Sequence, residues 1–323
     1  VPIVNESHVY SCGPYGDLYC IDINSQQPVW KKNIWTDFGG EEIPRWAITQ
    51  CPLIYGDLLI AASQAPDAGV VAYDKLTGEV IWKTPTLGPV GYVSPSLVKV
   101  AGEDHVVMIT AARGRRGEPS TGGRVVGIDP LKGEILWEYT NWQCPIPAPS
   151  AYDAGDGKVL IIGGYQAGAA MIEVKKGSEG NYVVSELFKT VEFGSHTKPP
   201  LFHEGYFYAH YRTNERRDGM VCMSMDGEIM WKTKNNPDFN KGSMILADGL
   251  ILSTDGGKNL YLIDPDPGEF KTLATSELLV AEIDPDNPRA SRYGTQNWAP
   301  IALADGKLLI RDKDRLMCVK VAE

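Results

Sequence analysis

The chain contains 323 residues, of which 43% are hydrophobic, and its 31 basic and 41 acidic side chains give a formal net charge of -10 at pH 7. This acidic balance argues against general nucleic-acid binding, which requires a basic surface. No apolar run approaches the roughly 20 residues of a membrane-spanning helix, and the start at Val1 shows no signal-peptide pattern.

One short pattern recurs along the chain at intervals of 40 to 56 residues. A period of this size is typical of repeat proteins, in which each unit packs mainly on its neighbours. In chain order, the clear copies are CIDINSQQPVW (20–30), AYDKLTGEVIW (72–82), GIDPLKGEILW (127–137) and CMSMDGEIMW (222–231), and weaker copies start at Met171, Leu262 and Cys318.

Each repeat predicts four short antiparallel strands. In Ser243 to Leu252, two apolar runs flank Asp248-Gly249, a dipeptide that suits a tight hairpin. A variable loop leads to the third strand, and a glycine turn leads to a fourth strand that ends on Trp in the clear copies. Four-stranded units without helical periodicity predict an all-β chain, folded as a single β-propeller domain over residues 1–323 with seven blades.

The small first residue of the pattern and its final Trp predict a packing device. A small residue on one sheet leaves room for a large ring from elsewhere in the repeat, and burying that ring stabilises the unit by about 2–3 kcal/mol. An Asp two places after the small residue is expected to cap the following turn. These aspartates are Asp22, Asp74, Asp129 and Asp264.

The pattern Ala72-x-Asp74-x-x-x-Gly78-x-x-x-Trp82 resembles the tryptophan-docking motif of the quinoprotein-like β-propellers. That group includes the pyrroloquinoline quinone (PQQ) dehydrogenases and, more distantly, the periplasmic propeller lipoprotein of the outer-membrane β-barrel assembly machinery. The resemblance covers essentially the whole chain. It implies the propeller fold and a periplasmic or secreted location, with a lipid anchor on a preceding N-terminal segment as one alternative. It says much less about function, because one fold carries many activities.

The chain departs from the quinone enzymes of that group at their cofactor site. Those enzymes resemble one another in having eight blades, two adjacent cysteines beside the quinone, and carboxylate and amide ligands for calcium. This chain has seven repeats and no Cys-Cys pair, and the motif Cys-x-x-Cys-His is absent. Its five histidines lack metal-ligand spacing. We therefore predict no cofactor and no metal site, and disfavour PQQ with calcium.

The two ends of the chain bear on the blade count. The first repeat begins with its innermost strand near Pro2, whereas the last stops at Cys318 to Val321 without a fourth strand or a Trp. Either the seventh blade has three strands, or a natural N-terminal segment precedes Val1, which would permit eight blades. We favour the second alternative.

Cys20, Cys222 and Cys318 share the small-residue position, so we expect packed thiols there. Cys12 and Cys20 flank one loop, but we do not predict a bridge.

Candidate binding residues lie in the loops, because the strands are committed to packing. Connections between blades emerge on the same face as the loops joining second to third strands, and most arginines fall there, which favours anionic ligands. Aromatic and polar residues precede several inner strands on that face. The predicted site comprises Arg45, Trp46, Tyr92, Trp142, Gln143, His196, Arg212, Asn297 and Trp298. The alternatives are arginines paired to local acids, and aromatics that only close the channel mouth.

Three functions stay open at this point. The main prediction is an extracytoplasmic binding or interaction propeller that holds a small anionic or carbohydrate-like ligand, or a protein segment. The second is a quinone-dependent or cofactor-free oxidoreductase or lyase at the same mouth, with His196 and a nearby carboxylate as a candidate pair. The third is a protein-assembly scaffold whose partner adds a strand along a blade edge. No nucleophile can be identified from the sequence, so we favour a binding protein over an enzyme and leave the enzyme alternative open.

Overall fold

The computed structural model describes residues 2–113, 122–213, 216–280 and 296–321. These residues form β-strands and loops, with a single 3₁₀ turn at Thr36–Phe38 as the helical element of the described part. The chain divides into two compact units, Val1–Lys189 and Thr190–Glu323. Each unit is built from consecutive antiparallel sheets, whose strands are hydrogen-bonded in chain order.

The first unit contains four sheets of four strands each. The first two sheets are β1 (Ile3–Asn5), β2 (His8–Cys12), β3 (Asp17–Asp22), β4 (Pro28–Asn33), and β5 (Leu53–Tyr55), β6 (Leu58–Ala61), β7 (Val71–Asp74), β8 (Val80–Lys83). The next two are β9 (Ser96–Val100), β10 (Glu103–Ile109), β11 (Val125–Ile128), β12 (Ile135–Tyr139), and β13 (Tyr152–Gly155), β14 (Lys158–Gly163), β15 (Gly168–Lys176), β16 (Tyr182–Thr190).

The second unit contains two sheets of four strands and one of three. They are β17 (Leu201–His203), β18 (Tyr206–Arg212), β19 (Arg217–Ser224), β20 (Ile229–Lys232); β21 (Met244–Ala247), β22 (Leu250–Thr254), β23 (Asn259–Asp264), β24 (Lys271–Glu277); and β25 (Ala302–Ala304), β26 (Lys307–Arg311), β27 (Leu316–Lys320). The predicted all-β fold with seven sheets is confirmed.

The tight hairpins form where the sequence predicts them. Asp248 and Gly249 have φ of 49° and 76°, and Asp305 and Gly306 have φ of 48° and 67°. Two consecutive left-handed residues match the twist of the flanking strands, which explains the Asp-Gly pairs between apolar runs. The hairpins β21–β22 and β25–β26 close on these pairs.

The predicted partnership of small residue and Trp is visible in the strand register. In four sheets, the small residue of the third strand lies directly opposite the Trp of the fourth strand. Three of these four Trp side chains are 9% exposed or less, although most other residues of their strands are exposed to solvent. The rings therefore anchor the outer strand of each sheet. The pairs are Cys20 with Trp30, Ala72 with Trp82, Gly127 with Trp137 and Cys222 with Trp231.

Three of these indoles also bind the next sheet along the chain. Trp30 donates its Nε1–H to the Lys75 carbonyl at 3.1 Å, and Trp82 donates to the Pro130 carbonyl at 3.1 Å. Trp231 donates to the carbonyl of Asp266 at 2.9 Å. Each acceptor lies in the turn before the fourth strand of the next sheet, so one ring joins two sheets.

Apolar cores accordingly fill the spaces between consecutive sheets within each unit. Trp30 packs with residues of sheets one and two, and Trp82 packs with residues of sheets two and three. In the second unit, Tyr208 and Cys222 pack with Ile251 and Ile263 across sheets five and six. Trp137 departs from the pattern, because its Nε1–H reaches Nδ1 of His105 in its own sheet at 3.0 Å.

Three of the four predicted turn caps are confirmed, and the fourth is wrong. Asp74 accepts the backbone N–H groups of Leu76 and Thr77 at 2.9 and 2.8 Å, and these bonds, the Thr77 bond first, lower the pKa of its carboxyl. Asp22 and Asp129 accept equivalent bonds. Asp264 instead pairs with Lys271 at 2.6 Å. In that repeat the cap lies two residues later, at Asp266, which accepts the backbone N–H of Gly268 at 2.7 Å.

The six cysteines are free thiols. Cys20 and Cys222 are fully buried as expected, and burial raises the pKa of Cys222 to about 12. The expectation for Cys318 is wrong, because this residue is exposed. Its sheet has three strands among the described residues, so no fourth-strand Trp lies opposite Cys318 in that part of the chain.

Candidate functional site

Within each unit, the connections between sheets contact the loops that join second to third strands, as the sequence predicts. Ile48, in the connection from β4 to β5, donates its N–H to the carbonyl of Pro14 in the β2–β3 loop at 2.9 Å. Ala112, in the β10–β11 loop, donates to Cys144 in the connection from β12 to β13 at 2.8 Å. We call the surface formed by these segments the loop face of each unit.

Arg45, Trp46 and Tyr92 come together on the loop face of the first unit. The Arg45 guanidinium carbon lies 5.0 Å from the centroid of the Trp46 ring, a cation–π arrangement. The Trp46 ring meets the Tyr92 ring edge-on, with centroids 5.5 Å apart and an angle of 73° between the planes. The side chain of Trp46 is nevertheless 47% exposed. Three predicted residues thus form one open aromatic and cationic surface.

The backbone on either side of this cluster is fixed by turns. Ala47 has a left-handed φ of 64° and donates its N–H to the Pro44 carbonyl at 2.7 Å, which closes a tight turn under Arg45 and Trp46. Tyr92 donates its N–H to the carbonyl of Pro147 in the next connection at 2.8 Å. The cluster therefore stands on ordered loops, a requirement for preorganised recognition.

A small cavity lies beside the cluster. Its lining includes Gln50, Gln64 and Tyr92, and its volume of about 10 Å³ has room for roughly one water molecule. Gln50 accepts the N–H of Ala62 at 3.0 Å, but its Nε2 group, buried in a residue only 6% exposed, has no hydrogen-bond partner in the described part of the chain. Gln64 accepts the N–H of Gly91 at 2.8 Å. Both glutamines thus hold the loops under Tyr92.

Trp142 and Gln143 occupy structural positions in the first unit. Trp142 is 2% exposed and donates its Nε1–H to the carbonyl of Ala167 at 3.1 Å. The Gln143 side chain accepts the N–H of Gly123 at 2.9 Å and donates to the Gly123 carbonyl at 2.8 Å. Among the described residues, neither side chain makes a hydrogen bond or a ring contact with Arg45, Trp46 or Tyr92, so their predicted ligand role stays a prediction.

The predicted residues of the second unit are more enclosed than Trp46. Asn297 is 4% exposed and donates to the carbonyls of Gly257 and Val280 at 2.7 and 3.0 Å. Lys241 places its ammonium 4.5 Å from the centroid of the Trp298 ring. Burial, followed by the charge of Lys241, lowers the pKa of His196 to about 4, so this imidazole is neutral at pH 7.

Two described arginines near the loop face are paired with acids. Arg212 binds the carboxylate of Asp238 in a connection between sheets. Arg216 binds Glu192 at 2.7 Å and Asp218 at 2.9 Å. Bonds from Lys232 and Arg216 lower the pKa of Glu192 to about 2. The predicted alternative of arginines paired to local acids therefore holds for Arg216 with Asp218, whereas the acid partner of Arg212 is distant in sequence. Arg115, Arg116, Arg289 and Arg292 lie outside the described residues.

No group of three or more His, Cys, Asp or Glu side chains is placed to hold a metal ion within the described residues. No helix in the same part of the chain is long and apolar enough to cross a membrane.

Sequence reasoning missed the two glutamines under the cluster. Gln50 and Gln64 stand in loops with no motif around them. Gln64 adopts a left-handed φ of 49°, but its sequence does not predict this backbone conformation. Their partners, Ala62 and Gly91, become neighbours only after the sheets have packed.

Comparison with known proteins gives the same fold and a family. The quinoprotein ethanol dehydrogenase of Pseudomonas aeruginosa is 28% identical over 145 residues, which is 42% of this chain and 22% of that enzyme. The match thus spans about a fifth of the enzyme's length. BamB from Moraxella catarrhalis has a similar structure, with a TM-score of 0.59 and 14% identity over 95% of this chain and 79% of that chain.

Two further solved structures are similar. A europium-containing methanol dehydrogenase has a TM-score of 0.58 at 12% identity, covering 96% of this chain and 72% of that one. The WD40 repeats of RRP9 have a TM-score of 0.53 at 10% identity. At such identities the likeness shows the fold alone, and the predicted β-propeller is confirmed. A family model described as outer membrane protein assembly factor BamB matches residues 1–177. Because that match covers more than half of the residues of this chain, the chain belongs to this family.

Proposed function

We propose that the chain is an extracytoplasmic binding propeller that acts in protein assembly and holds a segment of a partner polypeptide at Arg45, Trp46 and Tyr92. One observation carries this proposal. The Trp46 ring is 47% exposed although a cation and a second aromatic ring hold it in place. Rigid, partly exposed Trp and Arg side chains are the residue types that dominate binding energy at protein interfaces.

The size of the neighbouring cavity favours a polypeptide over a small ligand. Small-molecule sites usually enclose about 300–1,000 Å³, whereas the cavity beside Trp46 holds about 10 Å³. The shallow surface formed by Arg45, Trp46 and Tyr92 can cover one side chain of a bound polypeptide but cannot bury a whole small molecule. The alternative of an anionic or carbohydrate-like ligand therefore receives less support from the geometry.

The cluster offers complementary chemistry for such a segment. The Trp46 ring provides a flat apolar face, and Arg45, which is exposed, can form a bidentate pair with a carboxylate. The name of the family, outer membrane protein assembly factor, supports a polypeptide partner. It also supports a location outside the cytoplasm, where such assembly takes place.

We propose no quinone for this chain. PQQ carries three carboxylates, and a site for it needs cations that are not already neutralised. Arg212 and Arg216 are neutralised by Asp238, Glu192 and Asp218. These two predicted arginines are therefore already engaged by carboxylates, and the enzyme alternative rests on likeness to a fraction of a dehydrogenase.

Binding of an unfolded outer membrane β-barrel protein, diluted from urea into buffer with the purified chain, tests this proposal. Trp46→Ala and Arg45→Ala are expected to weaken the affinity about 5-fold to 30-fold each, which corresponds to about 1–2 kcal/mol for a binding hot spot. Trp298→Ala and Arg212→Ala test the predicted residues of the second unit in the same assay.

Leu131→Ala is the matched control, because Leu131 is 63% exposed and lies in the β11–β12 turn away from the loop face. It should bind as the unmodified chain does. If Trp46→Ala, Trp298→Ala and Arg212→Ala all leave the affinity unchanged, the loop face is not the binding site. Uptake of PQQ in the presence of calcium, followed by absorbance and mass, would favour the enzyme alternative.

A further inference from the structure

The cavity beside Trp46 is lined by a side chain whose hydrogen-bond donor has no acceptor among the described residues. Gln50 lines this cavity and is 6% exposed. Its Oε1 accepts the N–H of Ala62 at 3.0 Å, which fixes the orientation of the amide, but its buried Nε2 group donates to no described atom. A buried amide N–H without an acceptor is costly, so this group favours binding of an oxygen atom from outside the described chain.

The main-chain donors around the cavity are already used. The N–H of Ile48 binds the Pro14 carbonyl at 2.9 Å, and the N–H of Tyr92 binds the Pro147 carbonyl at 2.8 Å. The bonded N–H groups of the lining include those of Ala47, Ile48, Ala62, Gln64, Gly91 and Tyr92. The Nε2 group of Gln50 therefore differs from the donors that surround it, because its bonding capacity is still available.

The size and the charge of the cavity indicate which acceptor fits. Its volume of about 10 Å³ has room for roughly one oxygen atom the size of water. None of the described residues that line it is Asp, Glu, Lys, Arg or His. A carboxylate would lose its hydration there without meeting a cation, whereas a neutral carbonyl oxygen loses much less. The peptide carbonyl of a bound chain meets both conditions.

The cavity and the Trp46 ring are close enough to be occupied by one short stretch of a bound chain. Ala47, which follows Trp46, lines the cavity, and so does Tyr92, whose ring centroid lies 5.5 Å from that of Trp46. In an extended chain the side chains stand roughly perpendicular to the carbonyl groups, and each residue advances the chain by about 3.3 Å. A segment that crosses this surface can therefore direct one carbonyl into the cavity and a neighbouring side chain onto Trp46.

We propose that Gln50 binds the main chain of the partner segment, because its Nε2–H donates to one backbone carbonyl oxygen that enters the cavity while a neighbouring side chain covers Trp46. This inference rests on the proposed function at Arg45, Trp46 and Tyr92 and adds the chemical group that is bound beside them. Every polypeptide carries this carbonyl, so the site accepts different sequences, and the side chain over Trp46 sets the preference among them.

Gln50→Glu tests the donor, because a carboxylate keeps an oxygen for the N–H of Ala62 and replaces Nε2 by a second acceptor. With an unfolded outer membrane β-barrel protein diluted from urea as the probe, the affinity at pH 7 should fall about 5-fold to 30-fold. At lower pH the protonated carboxyl regains a donor, so the affinities of variant and unmodified chain should converge. Gln27→Glu makes the same charge change in the exposed turn between β3 and β4 and should leave the affinity unchanged.

A second measurement uses the unmodified chain and a probe without side-chain carbonyls. The probe is a blocked peptide of alternating tyrosine and glycine, in which every carbonyl belongs to the main chain. In nuclear magnetic resonance spectra of the isotope-labelled chain, the side-chain amide protons of Gln50 should shift downfield when this peptide is added. The signal is assigned by its loss in Gln50→Met, and Gln50→Glu should weaken binding of the peptide as well.

The outcomes distinguish this inference from the proposed function. If Trp46→Ala weakens binding and Gln50→Glu does not, Nε2 holds a structural water only, and the inference is wrong while the proposed function stands. If neither change weakens binding, both are wrong. A loss in Gln50→Glu that persists at low pH would assign Gln50 to holding the loops and overturn its role as donor. Failure of the tyrosine–glycine peptide to bind or to shift the amide signal would overturn the main-chain assignment.

Discussion

Replacement of Gly133 by alanine tests whether the ring of one sheet holds the turn of the next. Gly133 has a φ of 73°, and a methyl group there would lie 2.5 Å from Cε3 of Trp82. The left-handed backbone costs a residue with a Cβ about 1–2 kcal/mol, and overpacking of a buried ring costs about 1–3 kcal/mol more. Gly133→Ala should therefore lower the free energy of unfolding by about 2–5 kcal/mol.

Gly102 supplies the control for the backbone contribution. Its φ is 85°, but a Cβ at this position would meet nothing within 4 Å. Gly102→Ala should therefore cost only the backbone strain of about 1–2 kcal/mol. Urea unfolding followed by fluorescence and circular dichroism gives both values. A second measurement isolates the ring: in a Trp82→Leu background, Gly133→Ala should lose most of its excess cost over Gly102→Ala.

Equal costs for Gly133→Ala and Gly102→Ala in the unmodified chain would refute the reasoning. Such a result would mean that the Trp82 ring moves aside freely, and that its contact with the turn does not stabilise the pair of sheets. An unchanged excess cost in the Trp82→Leu background would refute it equally, because the penalty would then come from some other neighbour.

Three further outcomes are expected. Asp74→Ala should lower the free energy of unfolding in urea by about 1 kcal/mol, because two turn N–H groups lose their acceptor. Asp264→Ala breaks only the pair with Lys271 and should lower it by about 0–1 kcal/mol. The reverse order of the two costs would contradict the assignment of caps. Burial lowers the pKa of His210 to about 3 from 6.5, so at this site the unfolded chain binds more protons below pH 6.5. The contribution of His210 to stability should be full above pH 6.5 and fall by about 1.4 kcal/mol per pH unit below it, and His210→Phe should remove that part of the decline in unfolding curves from pH 7 to 5. Trp231→Phe should cost about 1–3 kcal/mol, because the Asp266 carbonyl loses its indole donor, and no change in the urea midpoint would show that this bond is dispensable.

The scaffold was predictable because its determinants are local and repeated. Asp-Gly pairs between apolar runs specify hairpins through their own φ preferences, and a small residue followed ten places later by Trp specifies a cross-strand pair such as Ala72 with Trp82. These signals lie within about a dozen residues of each other. They recur, so that drift in one copy, such as the displaced cap at Asp266, does not hide the pattern.

The partners of charged loop residues were not predictable in the same way. The sequence offers Asp218 as a neighbour for Arg216, and the structure contains that pair, but Glu192 shares the guanidinium from 24 residues away. Arg212 finds Asp238 at a distance of 26 residues. Such choices depend on how connections fold over one another, and no period in the sequence encodes this.

Trp46 and Trp142 show why residue type and position together are still insufficient to identify a binding site. Both precede an inner strand on the loop face, and both were predicted to contact a ligand. The Trp142 indole donates to the carbonyl of Ala167 and is buried, so this side chain stabilises the packing of two loops. The Trp46 ring meets the Tyr92 ring edge-on and a cation, and nearly half of it stays open. A buried ring with a satisfied N–H stabilises the fold, whereas an exposed ring that is held in place loses little entropy when a partner covers it. The second situation favours binding, and within the first unit it distinguishes Trp46 from Trp142.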